Sequence, residues 1–206
     1  MMAAILESIA RQATSPDVLD NILYADTNLA IWERGPIPQV DALLEGTCAD
    51  VRFSGSLIQI DDRLRLELSH AGFPDHPAKY ALIEDVADLA KRFGAILGLE
   101  QVELRLERVT TNSCRKFHAD YVSARLITTY VGRGTNWLDA RDAQRVARGE
   151  EPACIRSLNT GDVGIFKGKL STDFPVIHRS PPIGGTGETR LLLVLNPPSG
   201  GRSTRL

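Results

Sequence analysis

A histidine and a carboxylate stand two residues apart in the stretch Cys114-Arg115-Lys116-Phe117-His118-Ala119-Asp120, and a second histidine, His178, follows far downstream. Two imidazoles and one carboxylate are the donor set of a facial triad, which holds iron(II) on one face and leaves the opposite face open. In extended chain, side chains at i and i+2 project to the same side, so His118 and Asp120 can reach one ion while His178 closes the set from another strand. Both imidazoles must be neutral to ligate, their usual state near pH 7. Cys114 lies four residues before His118. Soft sulfur favours zinc, so Cys114, His118, Asp120 and His178 also form the donor set of an alternative, a non-catalytic zinc-binding protein of metal homeostasis.

Arg190 opens the apolar run Leu191 to Leu195, twelve residues after His178 and across a Pro-Pro-Ile-Gly-Gly-Thr-Gly turn. A guanidinium that shares a face with Leu192 and Val194 is buried there, which is costly unless an anion meets it. A carboxylate is the natural partner, because guanidinium binds it through two parallel hydrogen bonds. A dicarboxylic cosubstrate could chelate the metal at one end and meet Arg190 at the other. Arg125 and Arg179 compete for the same role, and Tyr130 is available as a second anchor.

These residues have to be positioned by regular elements. Ala4 to Ala13 reads as a short helix, with Ile5, Leu6 and Ile9 on one side, and Asn28 to Glu33 reads as a strand. Val51 to Leu68 alternates apolar and polar residues, most clearly around Leu64, Leu66 and Leu68, and is expected to be a half-buried strand. His70 and His76 fall in the loop that follows and could assist a metal site, although a loop histidine with a solvated ring is the plainer reading. Ala81 to Leu97 carries Leu82, Val86, Leu89, Phe93 and Ile96 at helical spacing and stops at Gly98.

From Gln101 the period changes to two, with Val102, Leu104 and Leu106 alternating with charged residues. Leu126–Val131, Gly161–Phe166, Pro175–His178 and Arg190–Leu195 are further strands, while the charged run Asp139–Glu151 is a helical insertion between strands. Helices dominate the first half and short strands the second. That segregation predicts a barrel or two-sheet sandwich with helices to one side, and argues against a doubly wound parallel sheet.

With 24 basic and 26 acidic residues the formal charge is -2, which offers no electrostatic footprint for nucleic acid or an anionic membrane. No apolar run is long enough to span a bilayer, and the N-terminus lacks a signal-peptide pattern, so a cytoplasmic protein is expected. Three cysteines, at 48, 114 and 154, form neither a disulfide framework nor a CxxC zinc pattern. The length predicts one domain, with residues 1–100 as an elaboration, 101–196 as the core and 197–206 as a flexible tail.

The ordered set of His118-x-Asp120, then Gly161-Asp-Val-Gly-Ile-Phe166, then His178, then Arg190 on an apolar strand resembles the 2-oxoglutarate- and iron(II)-dependent oxygenases, particularly the prolyl-hydroxylase-like branch. The resemblance implies an α+β, mainly β fold: a double-stranded β-helix, jelly-roll and cupin-like, with the N-terminal helices packed outside. It also implies that iron(II) is held by His118, Asp120 and His178, that 2-oxoglutarate is anchored by Arg190, and that a small molecule or a protein side chain is hydroxylated. Over more of its length the chain resembles an uncharacterised bacterial domain-of-unknown-function family, through Phe117-His-Ala-Asp-Tyr121, the stretch from Thr129 to Trp137, and His178-Arg-Ser-Pro181.

Overall fold

The computed structural model describes residues 9–198 and Leu206. Seven strands form one mixed sheet: β1 (Ile9–Ala13), β2 (Thr27–Trp32), β3 (Val51–Ser56), β4 (Gln101–Val109), β5 (Ala124–Val131), β8 (Val163–Lys167) and β10 (Arg190–Asn196). Their spatial order is β1-β2-β8-β5-β10-β4-β3. β1 runs parallel to β2, and the other neighbouring pairs are antiparallel. A second sheet of three two-residue strands, β6 (Asn136–Trp137), β7 (Arg156–Ser157) and β9 (His178–Arg179), has the order β7-β6-β9. The result is a sheet-rich α+β architecture.

Strand parity divides the large sheet into two working faces. Leu104, Leu106, Leu126, Ile165, Leu191 and Leu193 point to one side. They are covered by α1 (Ile60–His70) and α2 (Pro77–Leu97). Leu29, Ile31, Ile127, Phe166, Leu192 and Val194 point to the other and pack with Trp137, Val176 and Ile183 of the small sheet and its loops. A further helix, α3 (Ala140–Ala147), lies within the predicted charged insertion, and Asp139 caps its N-terminus by accepting from the Asp142 N–H. No helix among the described residues is long and apolar enough to cross a membrane.

α2 matches the predicted helix, and Gly98 ends it in the left-handed region at φ 70°. Two expectations are corrected. Of the helix expected over Ala4–Ala13, residues 9–13 are instead strand β1 on the edge of β2, and residues 4–8 lie outside those described. A single turn of apolar spacing cannot carry the cost of helix nucleation, whereas an edge strand gains a full ladder of hydrogen bonds at once. The strand expected over Val51–Leu68 ends at Ser56, and residues 60–70 are helical. Ile60, Leu64 and Leu68 are buried at i, i+4 spacing while Leu66 is exposed, so the helical period overrides the shorter alternation.

Leu64→Ala is therefore expected to cost about 2–5 kcal/mol in denaturant unfolding, as for other large-to-small core changes. Leu66→Ala should stay within roughly 0.5 kcal/mol of wild type. Equal losses from the two would contradict the helix.

The histidines flanking the α1–α2 loop have structural positions. His70 ends α1, and His76 caps α2 by accepting the Ala78 N–H at Nδ1.

Candidate metal centre

His118 and Asp120 sit in the connection between β4 and β5, and His178 opens β9. The two histidines are pinned to each other by backbone: the His118 N–H donates to the His178 carbonyl (3.0 Å), and the His178 N–H returns to the His118 carbonyl (2.9 Å). Ser180 N–H donates to the Cys114 carbonyl and extends the same stitch, while Lys169 N–H donates to the Asp120 carbonyl from the end of β8. Three segments remote in sequence are thereby fixed around one point.

The ligand atoms of His118, Asp120 and His178 all lie within 4.8 Å of one another. His118 Nε2 is 3.6 Å from Asp120 Oδ1, and His178 Nε2 is 3.1 Å from Asp120 Oδ2. In each imidazole the other nitrogen faces a backbone carbonyl: His118 Nδ1 donates to Lys116 O (2.9 Å) and His178 Nδ1 to Val176 O (3.1 Å). A carbonyl can only accept, so both Nδ1 atoms carry a proton and, in the neutral rings, both Nε2 atoms present lone pairs. Asp120 Oδ2 is buried and receives no well-formed hydrogen bond despite its contact with His178. Two lone pairs and a carboxylate oxygen converging in a buried place are stable only around a cation, and a metal ion fits.

Electrostatics point the same way. Burial pushes the Asp120 carboxyl up, but the imidazoles of His118 and His178 and the Arg125 guanidinium overcome this and hold it well below the usual carboxylate range. His118 is pushed above its ordinary value, chiefly by Asp120. Arg125 donates to Asp120 Oδ1 (2.6 Å) and to Asn196 Oδ1 (2.8 Å). It fixes the carboxylate rather than an incoming ligand.

Arg190 is fully buried. It donates to the Arg133 carbonyl (2.6 Å) and to the hydroxyls of Ser180 (3.0 Å), Thr129 (3.2 Å) and Thr135 (3.4 Å), none of them charged. Burial and the neighbouring Arg133 push its pKa down to about 10, so it remains a cation at neutral pH without a counter-ion among the described residues. Gly132 makes room for it. Its φ is +81°, and a Cβ there would stand 2.5 Å from the Thr189 carbonyl and 3.1 Å from Arg190 Cγ. Thr135 and Ser180 line a cavity of about 80 Å³ together with His118 and His178, walled by Ile127, Leu192 and Val194. The cavity joins the histidines to the hydroxyl cup of Arg190.

Tyr130 does not join this site. Its phenol donates to Asp85 Oδ2 (2.6 Å), and Asp85 is also held by Arg34, all on the helix-covered face. Burial and the Asp85 charge push that phenol well above its ordinary pKa. Thr129, one residue earlier and therefore on the opposite face, occupies the place foreseen for Tyr130. Cys114 lines the cavity with φ 53°, but its sulfur is outside the converging ligand atoms. The four-ligand zinc set is not assembled. Thr129, Thr135 and Ser180 were not foreseen; Ser180, two residues beyond His178, carried the one usable spacing signal.

A family model described as "Protein of unknown function (DUF1826)" matches residues 13–196. No curated protein matches the chain. Among solved structures, a protein of Shewanella oneidensis provisionally named an oxygenase shares the fold, with TM-score 0.50 and 9% identity over 93% of this chain and 89% of that one. A dioxygenase for auxin oxidation from Arabidopsis thaliana, in a 2-oxoglutarate complex, has TM-score 0.49 and 9% identity over 95% and 94%. A prolyl-4-hydroxylase of Pseudomonas putida has TM-score 0.45 and 16% identity over 87% and 95%.

Proposed function

This chain belongs to the DUF1826 family, and we propose that it is an iron(II)- and 2-oxoglutarate-dependent oxygenase whose two facing sheets are a double-stranded β-helix. The observation that carries the reading is the pairing of two features across one cavity. At one end stand two Nε2 lone pairs and a carboxylate; at the other stands a buried guanidinium with no counter-ion among the described residues.

His118, Asp120 and His178 would hold the metal, and the carbonyls of Lys116 and Val176 fix the tautomer and orientation of the two rings. Arg125 keeps Asp120 ionised and restrains its Oδ1. Arg190 would take the distal carboxylate of 2-oxoglutarate through its fork, with Ser180, Thr129 and Thr135 turning their hydroxyls to the same anion. Ile127, Leu192 and Val194 keep bulk water from the space between. When bound, iron(II) with 2-oxoglutarate supplies dioxygen activation, giving succinate, carbon dioxide and one hydroxylated C–H bond. His118 is the half-exposed ligand, so the substrate approaches from its side.

The test is an anaerobic titration of metal-free protein with iron(II) and then 2-oxoglutarate, followed by visible absorption. A weak charge-transfer band requiring both additions is the expected result. Cys114→Ser should leave the band and both affinities within about twofold of wild type, since a displaced thiol contributes nothing to a nitrogen and oxygen donor set. Absence of the band, with zinc binding that depends on Cys114, would defeat the reading.

A further inference from the structure

The cavity holds more positive charge than the metal and cosubstrate can use. We propose that the substrate of this site carries an oxyanion, a carboxylate or a phosphate, received by Arg105 and Arg179. The inference rests on the oxygenase reading above, because it assigns Arg190 to 2-oxoglutarate and leaves these two guanidiniums for the second ligand.

Arg105 lies on β4 opposite Val194 of β10, and both line the cavity. Its Nε is buried without a hydrogen-bond partner. The carboxylate beside it, Glu107, is 3.6 Å from Arg105 Nη1 but is engaged more closely by Arg52 at 2.5 Å. Arg179 follows His178 directly. Its guanidinium stacks 4.2 Å over the Phe117 ring, its Nε is likewise buried without a partner, and it makes no ion pair among the described residues. Stacking holds the plane of the fork while leaving its edge free for a planar anion. Arg125 cannot serve, because Asp120 and Asn196 occupy it.

Charge balance agrees. Arg105, Arg125, Arg179 and the underlying Arg190 stand against Asp120 and Glu107, and Arg179 also borders a second hollow with Glu150 and Glu151, of which Glu150 is already paired with Arg145 and Arg148. A divalent metal and a dicarboxylate cancel each other, so the excess of cations persists in the loaded site. It continues outward: Cys114 and His118 are shared with a surface hollow of about 400 Å³ that Arg115 and Lys116 also line. An anion is thus drawn to the mouth and then desolvated between guanidiniums, where charge-assisted hydrogen bonds are strongest.

The experiment uses protein loaded anaerobically with iron(II) and saturated with 2-oxoglutarate, titrated calorimetrically with benzoate, inorganic phosphate and, as the neutral control, benzamide. Benzoate or phosphate should bind at one site, and benzamide should not. Arg105→Gln and Arg179→Gln should each weaken that anion at least tenfold while 2-oxoglutarate affinity stays within twofold. Arg105→Lys and Arg179→Lys, which keep the charge and lose the fork, should fall between. Should either Gln variant fail to fold, its Lys counterpart and the variant at the other arginine decide the matter. The inference is overturned if neither anion binds the saturated protein, if the variants bind it as wild type does, or if benzamide binds equally well. A wild-type protein that shows the 2-oxoglutarate band but no second anion defeats this inference alone; one with no band defeats the oxygenase reading and this inference with it.

Discussion

His178→Ala is expected to abolish the iron and cosubstrate band and to weaken metal binding by at least ~100-fold, beyond the 10–100-fold usual for losing an outer-shell partner of a ligand. The loss is large because a ligand itself is removed from a set of three. Its Nε2 is one of three ligand atoms, and its backbone pair with His118 is the bridge that sets the distance between the two imidazoles. The side-chain change leaves that bridge in place, so the fold should survive and thermal unfolding of metal-free protein should show a cooperative transition. His178→Gln, with an amide oxygen as a weak ligand, should recover part of the affinity. Anaerobic iron(II) titration measures both. Near-wild-type metal affinity in His178→Ala would remove the residue from the centre and the triad with it.

Arg190→Met is expected to separate cosubstrate from metal. Truncating one partner of a buried hydrogen-bonded charge pair costs about 2–5 kcal/mol, so 2-oxoglutarate affinity should fall roughly 100-fold or more. Iron(II) affinity should stay within about threefold, because no atom of Arg190 is among the converging ligand atoms. Stability should change little. Removing the guanidinium relieves the desolvation of a cation that has no counter-ion among the described residues, but it leaves the buried Arg133 carbonyl without its donor, so the two effects oppose each other. Denaturant unfolding of metal-free Arg190→Met should therefore stay within about 2 kcal/mol of wild type. A marked loss of stability with unchanged 2-oxoglutarate affinity would make Arg190 a structural residue.

The sequence alone determined the donor set and its order. Residue chemistry limits facial ligation to a few side chains, and His118, Asp120 and His178 could be chosen without knowing their neighbours. The phase of β10 was also legible, since Arg190 had to share a face with Leu192 and Val194. The long helix was legible because five apolar residues at one period leave no second solution.

Other features were decided by the tertiary structure. β5 is buried on both faces, so its residues lack the alternation that would have told Thr129 from Tyr130, and register against β10 and β8 settles which one meets the site. In residues 51–68, Leu64, Leu66 and Leu68 satisfy a strand, while Ile60, Leu64 and Leu68 satisfy a helix; only the core provided by α2 and the large sheet selects between them. Arg125 was read as a candidate for the cosubstrate, but folding brings Asp120 and Asn196 to it first. The hydroxyl cup of Arg190 draws on residues 129, 135 and 180, which come together only when the chain closes long loops. Ligand chemistry is a property of single residues and survives in the linear sequence; partners are a property of register and loop closure, which only the folded chain holds.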